Sequence, residues 1–243
     1  MAELEVCANS YASAQAAEKG GAIRVELCEN MAEGGTTPSY GTIRLSTANL
    51  KIQVWPIIRP RGGDFLYSGN EFDLMKADIE VCKELGCGGV VFGILTANGN
   101  VDKARCKELI DFAYPLPAAF HRAFDMCADL EQGLEDLIEL GFVRVLTSGG
   151  EETAYGGLTR INELVRQANC RIEIMPGAGI NPENIIEIKE KTGANVFHSS
   201  ARVKVDSKML FRNSNSKMGS IKDEYQYEQT SALLVEKLVS KLK

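Results

Sequence analysis

The chain has 243 residues, 44% hydrophobic and 25% charged, with a formal net charge of −6, and can bury about three quarters of its unfolded surface in one large domain or two small ones. With no basic stripe and no block of like charges, it carries no electrostatic footprint for a nucleic-acid partner. No apolar run approaches the ~18 residues of a membrane span, and Met1-Ala2-Glu3-Leu4-Glu5 is acidic where a secretory signal is basic, so no membrane partner and a cytoplasmic location are expected.

Apolar runs of four to six residues recur along the chain, each followed by a polar or Gly-rich elbow and a stretch with helical spacing. The predicted strands are 4–8, 23–28, 52–58, 89–93, 118–122, 143–148, 171–175 and 195–199, rich in Val, Ile and Phe as buried parallel strands are. Between them, Phe72, Met75, Ile79 and Cys82 share one helical face, as do Leu130, Leu134, Leu137 and Ile138, and then Ile161, Leu164, Val165 and Ala168. Asn181 is placed to cap a helix with Pro182 at its first position, and Gly20, Gly86, Gly141 and Gly193 each stop one before the next strand. Eight such units predict an α/β fold, a single-domain (β/α)8 TIM barrel over 1–203, with a doubly wound sheet as the alternative. The remainder, 204–243, reads as a tail: a Ser-, Lys- and Asn-rich stretch at 207–220, partly mobile, and then a terminal helix through Leu234, Val235, Leu238 and Leu242 that packs on the barrel.

In a parallel barrel the outward strand positions meet helices and are apolar, so polar parity points inside. That rule places Glu5, Cys7, Arg24, Glu26 and Cys28 in the interior and predicts an ion-pair network of Arg24 and Arg144 against Glu5, Glu26 and Glu173. Both histidines, His121 and His198, fall near the carboxyl ends of predicted strands, where barrel active sites lie. The lone Trp55 is expected to pack within the third strand.

At the rim, Arg59, Arg61 and Arg122 have the chemistry to clamp a carboxylate or phosphate, while Glu26, His121 and Asp125 are candidates for acid-base work. Gly177 and Gly179, Ser148 before Gly149-Gly150, and Ser199 before Ser200 resemble the backbone cradles that hold phosphate in barrels. No lysine sits near the carboxyl end of a predicted strand, which argues against a Schiff-base aldolase, and there is no Ser-His-Asp pattern. Gly-x-Gly-x-x-Gly is absent from the first elbow, so no nucleotide cofactor is expected.

Seven cysteines without a Cys-x-x-Cys pair read as reduced thiols rather than a disulfide framework. Cys7 and Cys28 stand out, at equal parity near the ends of sequential strands about 4.7 to 4.9 Å apart. Two soft thiolates at that separation suit Cu(I), with Cys127 or a histidine reading as too distant to be a third ligand.

Several runs together resemble one family. They are Glu5-Val6-Cys7, Glu26-Leu27-Cys28, Glu33-Gly34-Gly35-Thr36-Thr37-Pro38-Ser39, the stretch from Arg59-Pro60-Arg61-Gly62-Gly63-Asp64 to Phe65-Leu66-Tyr67-Ser68, Phe120-His121-Arg122-Ala123-Phe124-Asp125, Arg144-Val145-Leu146-Thr147-Ser148-Gly149 and Phe197-His198-Ser199-Ser200-Ala201. The chain resembles the CutC family, named for copper homeostasis, from about residue 4 to 202. The resemblance implies a cytoplasmic (β/α)8 barrel that self-associates as a dimer or tetramer, with Cu(I) proposed at Cys7 and Cys28. Ala178 departs from the pattern, standing where relatives often have a glycine. Two functions stay open: a copper homeostasis protein that binds Cu(I) through thiolates, or a barrel enzyme using acid-base chemistry on a carboxylated or phosphorylated small metabolite. The partner is then a copper ion or an anionic small molecule.

Overall fold

The strand-helix alternation builds a (β/α)8 barrel in the computed structural model, which describes residues 2–213, 215, 216, 218 and 223–243. The barrel strands are β1 (Glu3–Ala8), β2 (Arg24–Leu27), β3 (Gln53–Pro56), β4 (Val90–Phe92), β5 (Ala118–Phe120), β6 (Arg144–Thr147), β7 (Glu173–Pro176) and β8 (Val196–Ser199). The helices between and after them are α1 (Tyr11–Lys19), α2 (Tyr40–Asn49), α3 (Gly69–Glu84), α4 (Lys103–Ala113), α5 (Leu130–Leu140), α6 (Leu158–Ala168) and α7 (Ile185–Thr192). Parallel ladders run in the orders β3-β2-β1-β8 and β4-β5-β6-β7. A bridge from Ile57 to Val91 joins β3 to β4, and β7 lies beside β8.

Local chemistry explains the helix faces. Ser68 and Glu71 form a reciprocal capping box at the start of α3, whose buried residues are Phe72, Met75, Ile79 and Cys82. Asp129 caps α5, which buries Leu134, Leu137 and Leu140, and α6 buries Ile161, Leu164 and Ala168. These stripes and the outward strand residues, among them Leu4, Val6, Val25 and Leu27, form one continuous core between helices and barrel wall. Inside the barrel are smaller groups: Cys7 with Cys28 and Ile57, then Trp55 with Val91 and Ala119, then Leu146 with Met175 and Val196.

Three local features differ from the expected pattern. The fifth strand stops at Phe120: the His121 amide makes a last bond to Phe92 O, and its side chain caps a short 3-10 helix, Arg122–Met126. Asn181 caps a turn first, its Oδ1 accepting from the amides of Glu183 and Asn184, and α7 is continuous only from Ile185. Beyond the barrel, β9 (Arg202–Asp206) pairs antiparallel with β10 (Gln226–Thr230). That ribbon is mostly exposed, so its strands lack the apolar run that marks a barrel strand. Of the stretch expected to be mobile, positions 214, 217, 219 and 220 lie outside the described residues. The last helix, α8 (Ala232–Leu242), buries Val235, Leu238 and Leu242 and packs beside α1, α7 and β1. Among the described residues no helix is long and apolar enough to cross a membrane.

Candidate functional site

Register sets the interior layers. Glu5 lies level with Arg24 on one side and His198 on the other, and Arg144 lies level with Glu173. Glu5 accepts from Arg24 Nε, and His198 Nδ1 is 2.9 Å from Glu5 Oε1. Arg144 Nε donates to Glu173. Of the predicted network, Glu26 alone meets no arginine: it stands 3.7 Å from His198 Nε2.

Burial and neighbours set the charges of this layer. Burial pushes the Glu5 carboxyl up, but the His198 hydrogen bond and the cationic charges around it prevail, holding it at about 2. Burial lifts Glu26 above the usual carboxylate range, with the Glu5 charge adding to the lift and His198 opposing it. Burial would keep His198 neutral, yet Cys7, Glu5 and Glu26 together raise it well above an ordinary histidine. His198 therefore stands between two buried carboxyl groups that both favour its protonated form.

Directly above, sulfur atoms gather. Cys7 Sγ lies 3.5 Å from Cys28 Sγ, and Met31 Sδ lies 3.7 Å from the first and 3.2 Å from the second. The Cys28 hydrogen bond and burial push the Cys7 thiol up. Cys7 Sγ also falls within 4.8 Å of donor atoms on Glu26 and His198. A histidine thus reaches the Cys7 thiol after all, because β8 returns beside β1, while Cys127 is absent from the group. Met31 was unmarked in the strand pattern, although a thioether three residues after Cys28, just past the end of β2, is a readable signal.

The other candidates divide. A cavity of about 430 Å³ at this end of the barrel is lined by Cys7, Glu26, Met31, His121, Arg122 and Gly179, among others, with Ser199 also on its wall. Ser199 Oγ donates to Ile180 O at 2.7 Å. Gly177 backs His198, where a Cβ would lie 2.5 Å from Leu146. Arg59 turns both terminal nitrogens to the chain itself, donating to Glu33 O, Gly35 O and Gly63 O at 2.6 to 2.9 Å, while its Nε has no partner among the described residues. Arg61 faces Asp64 and Glu71 at the start of α3, away from the cavity. Asp125 accepts from Arg122 Nε, Ser148 N, Ser148 Oγ and Gly150 N at 2.7 to 3.1 Å, so it positions Arg122 and the loop after β6.

His121 makes a direct pH prediction. It is buried, and burial plus the Arg59 charge pushes its pKa down to about 3, whereas in the unfolded chain it titrates near roughly 6.5. As pH falls the unfolded state takes up this proton first, so stability present above the unfolded value is lost progressively toward the folded one. Denaturant unfolding at pH 7 and pH 5 is expected to show a loss about 2 kcal/mol larger for the native chain than for His121→Gln. Equal losses in the two proteins would show that His121 is solvated.

Fold and site define a (β/α)8-barrel protein with two thiols, a thioether and a charged carboxyl-histidine layer at the carboxyl ends of its strands. The CutC family model matches residues 2–203. The chain belongs to the CutC family. It is 50% identical over 236 residues to a CutC family protein of Chromobacterium violaceum, covering 97% of this chain and 96% of that one. A human relative named copper homeostasis protein cutC homolog is 51% identical over 217 residues, 89% of this chain and 80% of its own length. The crystal structure of a CutC protein from Streptococcus agalactiae superimposes with a TM-score of 0.79 at 39% identity, covering 82% of this chain and 99% of that one.

Proposed function

We propose that this chain is a cytosolic copper homeostasis protein that binds Cu(I) through Cys7, Cys28 and Met31. The observation that carries the reading is the sulfur triangle, 3.2 to 3.7 Å on its edges, close enough for one ion to touch all three atoms. Thiolate and thioether donors together select a soft ion such as Cu(I), and a thioether adds little for Zn(II). Cys7, Glu26 and His198 form a harder donor set that shares one thiol with the triangle, so the metal preference rests on Met31. All seven cysteines are free, the state a reducing cytosol maintains. The copper homeostasis name of the human relative points the same way.

The test is an anaerobic Cu(I) titration against a chromophoric chelator. One Cu(I) per chain is expected, lost in Cys28→Ser, while Met31→Leu keeps the stoichiometry and weakens affinity on the order of tenfold. Unchanged stoichiometry and affinity in Cys28→Ser would overturn the assignment.

A further inference from the structure

A bare ion fills only a small part of the roughly 430 Å³ that opens beside the sulfur cluster, a volume in the range of small-molecule pockets. Among its lining residues, His121 and Arg202 bring buried N–H groups with no partner among the described residues: His121 Nε2 and Arg202 Nε. His121 is 3% exposed, and its Nδ1 accepts the Ala123 amide at 3.2 Å. The ring proton of neutral His121 therefore sits on Nε2, a donor with no acceptor among the described residues. Buried donors in native proteins are nearly always satisfied; the two atoms are themselves closed to the cavity, so a ligand's acceptor meets them once these wall side chains turn toward it.

The backbone at the same cavity is strained. Ala178 and Gly179, which follow β7, both have φ of +74°, and Ala201, after β8, has +44°. Alanine adopts this conformation only when its surroundings force it, and such residues collect at ligand clamps. Among the described residues, the amides of Ala178 and Gly179 make no hydrogen bond. The loops after the last two strands of a (β/α)8 barrel frequently cradle phosphate. Arg122 on the same wall and Arg202 supply cationic charge, the second held by Glu228 through another nitrogen.

We infer that this cavity binds a small organic phosphate, its oxygens on the Ala178 and Gly179 amides and Arg202, with His121 Nε2 donating to a further acceptor of the same molecule. No sulfur takes part, so the inference goes beyond the copper reading and stands apart from it. The probe is glycerol phosphate, titrated into the metal-free full chain by calorimetry and phosphorus NMR, with glycerol and malate as comparators.

Saturable one-to-one binding of glycerol phosphate is expected, about tenfold weaker in both Arg202→Gln and His121→Gln and unchanged in Cys28→Ser. Arg202 is partly exposed, so its variant remains informative if His121→Gln folds poorly. The inference is overturned if glycerol phosphate fails to saturate the chain at millimolar concentration, if Arg202→Gln leaves binding unchanged, or if malate binds more tightly. Copper binding without phosphate binding removes this inference alone, and the reverse removes only the copper reading.

Discussion

Glu5→Ala is expected to destabilise the fold by about 3 to 5 kcal/mol, the cost of stripping the counter-charge from a buried ion pair. Glu5 is 2% exposed and receives both Arg24 and His198. Removing its carboxylate leaves the buried Arg24 guanidinium without its counter-charge and His198 with Glu26 alone. Among the described residues Arg24 Nη2 already lacks a partner, so none of them offers the guanidinium a second acceptor in its place. The pair itself contributes little net stability, because desolvation offsets most of the attraction. The double variant Glu5→Leu, Arg24→Met is therefore expected to recover most of the loss, since it removes both charges and keeps the volume. Urea unfolding followed by far-UV circular dichroism measures all three proteins. A loss below about 1 kcal/mol in Glu5→Ala would mean that the layer is hydrated and its charges screened.

How much of this was legible depends on which physical rule governs each residue. Strand parity is rigid, a two-residue period enforced by the pleat, and it placed Glu5, Cys7, Arg24 and Glu26 inside before any coordinates. Apolar strand runs are equally robust when both faces are buried, so the eight barrel strands could be read while the exposed ribbon of β9 and β10 could not. Arginine roles were not legible. Arg59 and Arg61 have the composition of an anion clamp, yet their donors meet loop carbonyls and acidic side chains, because a guanidinium satisfies itself wherever acceptors are near. The nearness of His198 to Cys7 is a consequence of topology, since residues 193 positions apart, His198 and Glu5, become neighbours only when the eighth strand returns to the first. Met31 belongs to local geometry: Asn30, in the left-handed region at φ +50°, turns the chain so that Met31, the first residue of a 3-10 turn, sets its thioether against the Cys28 thiol.

The same interior contains a packing coupling that a double-mutant cycle will expose. The Trp55 indole lies against two guanidinium groups, Arg24 at 5.4 Å and Arg144 at 5.2 Å from the ring centroid, and its Nε1 donates to Gln53 at 3.1 Å. It fits there because the chain entering β4 has no side chain: a Cβ on Gly89 would stand 2.5 Å from indole Cε2. Gly89 is not among the positive-φ residues, so alanine there meets a steric obstacle and no backbone strain. Trp55→Ala is expected to cost about 3 to 5 kcal/mol from lost burial and the cavity it leaves, with the two cation–π contacts adding to the loss. Gly89→Ala alone is expected to cost about 1 to 3 kcal/mol through overpacking against a rigid ring. With the ring gone, the added methyl enters space that Trp55→Ala has emptied. In the Trp55→Ala background the alanine at 89 is therefore expected to be neutral or stabilising, giving a coupling about as large as the whole Gly89→Ala penalty. Strict additivity in urea unfolding would show that the indole does not occupy the space over Gly89, and the layer that supports Arg24 beneath the sulfur cluster would have to be rebuilt around another residue.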